Sequence, residues 1–176
     1  MNRSLSLITR TAILLALTVL FQSLRVLMPF MPANISQYVI GSLVNLCLIV
    51  AAVVVGIRGG CVIAVVAPLI AFFQGFTPSP ILVAPIALGN LVLVVVVALL
   101  YDKNRLTALA AGAVLKFVTL YLGVVRIVVP LLLPDVNEKI KAVLSVQFSW
   151  PQLITASIGG ILAVIILPVL KKTIKQ

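Results

Sequence analysis

The chain has 176 residues, of which 63% are apolar and 9% charged, and its 13 lysines and arginines outnumber its three acids. A soluble domain carries roughly 25% charged residues, so this composition excludes a water-soluble fold and indicates an integral membrane protein. The basic residues lie between long apolar runs and do not cluster on a solvated face, which argues against nucleic acid as a partner.

Six apolar stretches are predicted to cross the lipid bilayer as helices. In chain order they are 11–28, 35–56, 59–73, 81–100, 106–133 and 151–170. The third is short, so the span is predicted either to extend into residues 74–77 or to cross a thinned bilayer. The fifth is long, and Pro130 and Pro134 predict that its outer end bends or unwinds. The predicted fold is an all-α bundle of six transmembrane helices, forming a single domain over residues 1–176.

The connections between these spans differ in charge on the two sides of the membrane. One side carries eight bases: Arg3, Arg10, Arg58, Lys103, Arg105, Lys171, Lys172 and Lys175. The other side carries two lysines offset by two acids: Lys139, Lys141, Asp135 and Glu138. By the positive-inside rule, both termini are predicted to be cytoplasmic. The outside loops are then 29–34, 74–80 and 134–150.

The last outside loop has apolar residues at helical spacing: Val136, Ile140, Val143, Leu144 and Phe148. This pattern predicts a short amphipathic helix that lies on the membrane or over the mouth of a cavity. A solvated connector is the alternative interpretation.

Three bases fall inside the predicted spans, where a charged side chain costs about 2.5–3.5 kcal/mol at the bilayer centre. Lys116 lies near mid-membrane and is predicted to face an internal polar cavity, with a structural packing role as the alternative. Arg25 and Arg126 lie in the outer halves of their spans. Both can reach the outer interface by extending their side chains, so a binding role and an interfacial role stay open for them.

Polar side chains converge on the outer half of the predicted bundle, as an outward-facing binding pocket requires. The inner halves are nearly pure Val, Leu, Ile and Ala. A single amide in a span more often makes one interhelical hydrogen bond, worth roughly 0.6 kcal/mol, so the prediction rests on the set as a whole. The predicted substrate-binding residues are Asn34, Gln37, Asn45, Gln74, Asn90, Lys116, Arg126, Trp150 and Gln152.

Several chemistries lack the residues they need. The chain has no His, no Asp or Glu within a span and no P-loop of the form GxxxxGK[ST]. These absences argue against an enzyme, a bound metal or cofactor, and nucleotide hydrolysis by this chain. Cys47 and Cys61 are predicted to be free thiols at different membrane depths. The chain can bind a substrate, but uphill transport would require energy from a partner.

Pairs of small residues four apart mark helix faces that another helix can approach closely. Such pairs occur at Ala12/Ala16 in the first span, Ala108/Gly112 in the fifth and Ala156/Gly160 in the sixth. Ala12 and Ala16 are predicted to dock a partner helix. Ordinary packing within the chain is the alternative for each pair.

The chain resembles the S components of the energy-coupling factor (ECF) transporters, which are vitamin-uptake systems of prokaryotes. The resemblance covers nearly the whole chain and includes the six spans and the cytoplasmic termini. It also includes these residues: Ala12, Ala16, the run 41–45, the run 55–60, Gly89, Asn90 and Lys116. The resemblance implies a multi-pass protein of the prokaryotic plasma membrane.

The resemblance also implies a division of labour between subunits. An S component binds a vitamin or precursor from outside and docks through its first helix onto a transmembrane coupling subunit, which is joined by two cytoplasmic ATPases. It is then expected to topple in the membrane and release the substrate inward. The implied pocket lies among the outer parts of the fourth to sixth spans, under the first and last outside loops.

The excess of bases predicts an anionic substrate, such as the carboxylate of a pantothenate-like vitamin or a phosphate. An aromatic content of 6% mildly disfavours a flat ring held between aromatic side chains. A cobalamin-type or pyrimidine substrate stays open. The alternative functions are a stand-alone facilitator or channel for small anions and a noncatalytic membrane scaffold.

Overall fold

The computed structural model describes residues 3–28, 30 and 32–174, and the side chains of residues 3–4, 33–34 and 173–174 lie outside what it describes. Its α-helices are α1 (Arg3–Leu27), α2 (Ala33–Val54), α3 (Ile57–Phe73), α4 (Val83–Leu100), α5 (Arg105–Leu120), α6 (Glu138–Gln147) and α7 (Trp150–Ile174). A 3₁₀ turn (Pro80–Leu82) leads into α4, and a π-helix (Tyr121–Leu132) continues α5. No strand occurs among the described residues, which confirms the all-α prediction.

Five stretches of the described chain are long and apolar enough to cross a membrane: Leu5–Leu27, Ile35–Val54, Pro80–Leu100, Arg105–Leu132 and Glu138–Lys172. They overlap five of the predicted spans over most of their length. The third predicted span is α3, a shorter apolar helix of 17 residues. The chain is therefore a multi-pass membrane protein, while the count of six spans and the cytoplasmic termini stay predictions.

The end of α3 is set by Gly75, whose φ of 77° is a conformation that residues with side chains rarely adopt. The Gly75 N–H donates to the carbonyl of Phe72, and the next N–H donates to the carbonyl of Ala71. This is the Schellman pattern that closes a helix. The prediction that the helix extends into residues 74–77 is therefore wrong, and α3 stops at Phe73.

The fifth predicted span departs from a regular α-helix in its outer half. From Tyr121 onward its backbone is π-helical, with wider turns than an α-helix, and it leaves the helix at Leu133. An unwound outer end was predicted from Pro130, but the change begins well before that residue. The π-helix buries Val124 and Val128 against the residues that follow it in the chain.

The amphipathic helix predicted in the last loop is α6, so the solvated-connector interpretation is wrong. Leu144 of α6 and Phe148 directly after it are buried against Leu120 at the end of α5. Ile140 and Val143 of the same predicted apolar set are exposed. Two of the five predicted apolar residues are therefore buried on the bundle, and α6 covers part of its end.

The main hydrophobic core fills the half of the bundle nearest the basic loops. Its largest fully buried side chains come from four helices: Leu48, Ile49, Ile63, Leu93, Val94, Val97 and Leu167. In the bundle α2 packs along α7, and α4 packs along α5. Cys47 and Cys61 are both free, as predicted. The largely exposed α1 packs at the edge against α2 and α3.

Gly159 allows α7 to approach α2 closely, and its replacement should destabilise the fold. A Cβ atom at Gly159 would lie 2.8 Å from the Ser42 carbonyl oxygen and 2.8 Å from the Asn45 Cβ, neither of which can move without its helix. We expect Gly159→Ala to lower the free energy of unfolding by about 1–3 kcal/mol. Thermal unfolding in detergent measures this change.

Gly160→Ala is the matched control for this prediction. A Cβ atom there would meet Leu109 Cβ at 3.6 Å, which is ordinary van der Waals contact. Alanine also has the better helix propensity. Equal destabilisation by the two substitutions would contradict the close approach at Gly159.

Candidate functional site

A cavity of about 150 Å³ lies at the end of the bundle opposite the main core. It is bordered by the C-terminal parts of α1, α3 and α5, the N-terminal halves of α2, α4 and α7, the loop after α3, and the residues where α6 meets α7. Its polar lining residues are Gln22, Arg25, Gln37, Asn45, Thr77, Asn90, Lys116, Gln147, Gln152 and Thr155. In the predicted orientation this end of the bundle faces outside.

Lys116 of α5 is the most deeply placed charge of the cavity, with 4% of its surface exposed. Its Nζ donates to Asn45 Oδ1 at 2.6 Å and to Asn90 Oδ1 at 2.7 Å. Both acceptors are neutral amides, so they solvate the ammonium without cancelling its charge. An ammonium has three N–H donors, and the third has no partner among the described residues. The cavity therefore holds a buried lysine that has no carboxylate partner among the described residues.

Pro68 of α3 accounts for the orientation of Asn90. Proline has no N–H, so the carbonyl of Ala64 one turn earlier loses its usual helical donor. Asn90 Nδ2 points at this carbonyl oxygen from α4, at 3.5 Å. With its amide nitrogen directed at α3, Asn90 presents its oxygen to Lys116.

Asn45 is oriented in a similar way by α7. Its Nδ2 donates to Thr155 Oγ1 at 3.2 Å, and that hydroxyl donates to the carbonyl of Gln152 at 3.2 Å. This leaves Asn45 Oδ1 to accept from Lys116. Two amides and one lysine thus join α2, α4, α5 and α7 into one polar network at the cavity.

Arg25 supplies a second positive charge to the cavity wall. Its guanidinium carbon lies 5.4 Å from the centre of the Phe76 ring, within the range of a cation–π interaction. Both residues line the cavity. The three acids of the chain are Asp102, Asp135 and Glu138, and none of them is among the lining residues. The lining is therefore positive and has no carboxylate.

The end of α6 is fastened over the cavity by two glutamines from other helices. Gln37 Nε2 of α2 and Gln152 Nε2 of α7 both donate to the carbonyl oxygen of Gln147, each at 3.1 Å. Phe148, the next residue, is buried and lines the cavity. The carbonyl of Gln147 thus links the end of α6 to α2 and α7.

The structure brings together five of the nine residues predicted from depth to bind substrate. Gln37, Asn45, Asn90, Lys116 and Gln152 all line the cavity. Their convergence requires four helices to turn their polar faces toward one point.

Three other predicted residues do not line the cavity, and the side chain of a fourth is outside the described residues. Gln74 donates to Ser23 Oγ at 3.0 Å, and Arg126 is exposed. Trp150 is 68% exposed and stacks on Phe117, with ring centres 5.7 Å apart. The side chain of Asn34 is outside the described residues.

The lining residues that were not predicted include Gln22, Phe76, Phe148 and Thr155. The position of Gln22 in the cavity could have been predicted from the sequence, because it is an amide in the outer half of an apolar span. Thr155 is less conspicuous, since a hydroxyl in a helix can bond its own backbone. Nothing in the sequence marked the two phenylalanines as lining residues, because apolar residues near loops are common in any membrane protein.

The small-residue pairs separate into exposed and buried ones. Ala108 and Ala156 are buried within the bundle together with their glycine partners. Ala12 and Ala16 are exposed on α1, on a face without a neighbouring helix in the described chain. Only the pair on α1 is therefore available to another protein.

The comparisons with known proteins give one match. A protein-family model described as the substrate-specific component of ECF transporters matches residues 6–171. No curated protein and no solved structure matches the chain.

Proposed function

The chain belongs to the substrate-specific components of ECF transporters, and on this premise we propose that its cavity binds a compact, anionic, water-soluble vitamin or precursor from outside the cell. Members of this family are substrate-binding and transport subunits rather than enzymes. A pantothenate-like carboxylate is the ligand that we assign to the site.

The burial of Lys116 without a carboxylate partner among the described residues is the observation that carries this proposal. An isolated ammonium away from water is costly, and neutral amides offset only part of that cost. A substrate carboxylate at the free N–H of Lys116 would complete the ion's coordination with a charge-assisted hydrogen bond. Arg25 adds a second positive charge to the same cavity.

The size of the cavity supports a small substrate. Pockets for drug-sized ligands enclose about 300–1,000 Å³. The cavity of about 150 Å³ is smaller than this range. It therefore favours a compact acid over a cobalamin-sized substrate.

The apolar core beyond the cavity supports a binding subunit over an open facilitator. Leu48, Leu93 and Val97 are completely buried or nearly so in the half of the bundle opposite the cavity. A close-packed core of this kind has no room for a hydrated ion. Delivery across the membrane would therefore need movement of the whole subunit or of its helices.

We assign the docking of the transport complex to the exposed Ala12/Ala16 face of α1. The partners would be a transmembrane coupling subunit and two cytoplasmic ATPases, since this chain has no P-loop of its own. The prokaryotic plasma membrane and cytoplasmic termini are part of the same proposal.

The anion site can be tested without removing Lys116. In Asn90→Asp, a carboxylate replaces the amide oxygen that lies 2.7 Å from Lys116 Nζ. The new carboxylate would pair with Lys116 and offset its charge, leaving Arg25 as the remaining cation, so we expect carboxylate affinity to fall at least about tenfold while the protein stays folded. Calorimetric titration without ATP measures this against a panel of carboxylate vitamins that includes pantothenate.

Asn104→Asp is the matched control, because it adds the same charge at the opposite end of the bundle. Asn104 caps the start of α5 by accepting from Thr107 N, and aspartate caps a helix equally well. Unchanged affinity in Asn90→Asp would place the anion away from Lys116. Absence of binding by any panel member would overturn the substrate assignment.

A further inference from the structure

Gln22 of α1 carries a hydrogen-bond acceptor that the protein leaves unused. Its Nε2 donates across to the carbonyl oxygen of Ala67 in α3, at 3.4 Å. Its Oε1 is buried and has no partner among the described residues. The side chain lines the same cavity as Lys116 and Arg25.

The identity of the unpaired atom follows from the partner of the other one. A backbone carbonyl can only accept, so the amide nitrogen must be the atom that faces Ala67. The oxygen is then the atom left over, and a buried acceptor without a donor costs free energy. Such a cost is typical of a group that receives its partner from a ligand or a trapped water.

The position of Gln22 separates it from the other unpaired side-chain oxygens. Ser36 Oγ and Gln74 Oε1 are also buried without a partner in the described chain. Neither of those residues is among the residues that line the cavity. Gln22 Oε1 is therefore an unsatisfied acceptor in a site whose two charged side chains are both cations.

We propose that Gln22 Oε1 accepts a hydrogen bond from a hydroxyl or N–H group of the substrate, while Lys116 holds the substrate's anionic group. This inference rests on the proposed function and narrows its substrate class to hydroxy acids and amide-bearing acids. Simple carboxylates that lack a second donor are poor ligands of such a site. Gln22 is then a specificity-determining residue and Lys116 the anion-binding one.

Three probes of matched shape test the donor requirement. Pantothenate carries hydroxyl and amide donors, N-(3,3-dimethylbutanoyl)-β-alanine keeps only the amide N–H, and the corresponding ester of 3-hydroxypropanoate keeps neither. We expect the ester to bind the wild type about tenfold more weakly than pantothenate, which corresponds to one hydrogen bond. The amide probe shows which of the two donors Gln22 accepts from.

Gln22→Met removes the acceptor at nearly constant volume, so the tenfold preference for pantothenate over the ester should disappear. Gln74→Met is the matched control, because it removes a buried, unpaired Oε1 outside the cavity and should leave the preference intact. Thermal unfolding of the unliganded variants shows that both fold.

The outcomes distinguish the proposed role of Gln22 from the proposed pantothenate-like substrate. Equal affinities of the three probes for the wild type, or a preference that survives in Gln22→Met, would overturn the role of Gln22 and point to a trapped water on Oε1. The anion site would still stand in either case. If none of the three probes binds the wild type, the pantothenate-like substrate fails, and the role of Gln22 fails with it.

Discussion

Lys116→Met is expected to lower the affinity for a carboxylate substrate by about a hundredfold, which corresponds to the loss of a buried, charge-assisted contact. Methionine keeps the length of the side chain but removes the charge and the free N–H that faces the cavity. Calorimetric titration of the purified subunit without ATP measures the change. Lys116→Arg should keep part of the affinity, since it preserves the charge.

A purely structural role for Lys116 predicts a different result. Lys116→Met leaves the oxygens of Asn45 and Asn90 without their donor, so some loss of thermal stability is expected in either case. Asn90→Asp separates the two roles, because it keeps an acceptor for Lys116 and offsets the charge of the lysine, at the cost of the long contact to the Ala64 carbonyl. Full binding by Asn90→Asp, together with an unstable Lys116→Met, would identify Lys116 as a structural cross-link.

Ala16→Trp is expected to abolish substrate uptake and assembly with the coupling subunit, with substrate affinity unchanged. Ala16 is exposed on α1 and is absent from the cavity lining, so the indole would obstruct a close helix–helix approach without reaching the site. Copurification with the coupling subunit and ATPases measures assembly, and uptake into proteoliposomes that contain the whole complex measures transport.

Ala110→Trp is the control for this result. Ala110 is likewise an exposed alanine on a membrane helix, but it lies on α5. Tryptophan there should leave assembly intact. If Ala16→Trp still assembles and transports, the coupling subunit docks on another face of the protein.

The depth of polar groups along each span was readable from the sequence. Lys116, Asn45 and Asn90 were predicted to lie near the middle of their spans, and the structure joins them by hydrogen bonds of 2.6 and 2.7 Å. Depth is a count of residues along a helix of known rise, so it needs no tertiary information. The same reasoning placed Gln37 and Gln152 near the outer ends of α2 and α7.

Depth alone gave no information on which way a side chain faces. Arg126 and Trp150 lie at suitable positions along their helices but are exposed outside the cavity. The wide turns of the π-helix contribute to this for Arg126, because they change the angle between successive side chains. A side chain's direction around the axis depends on helix type and on the neighbours against which the helix packs.

The amino-acid sequence by itself determined the membrane class and the position of each polar group along its apolar segment, because hydropathy is a local property that adds along the chain. The tertiary structure decided the rest. It turned Asn90 toward Lys116 through the carbonyl freed by Pro68, brought Gln22 to the cavity and left Ala12 and Ala16 exposed while burying the other small pairs. Each of these outcomes depends on contacts between helices that are distant in sequence.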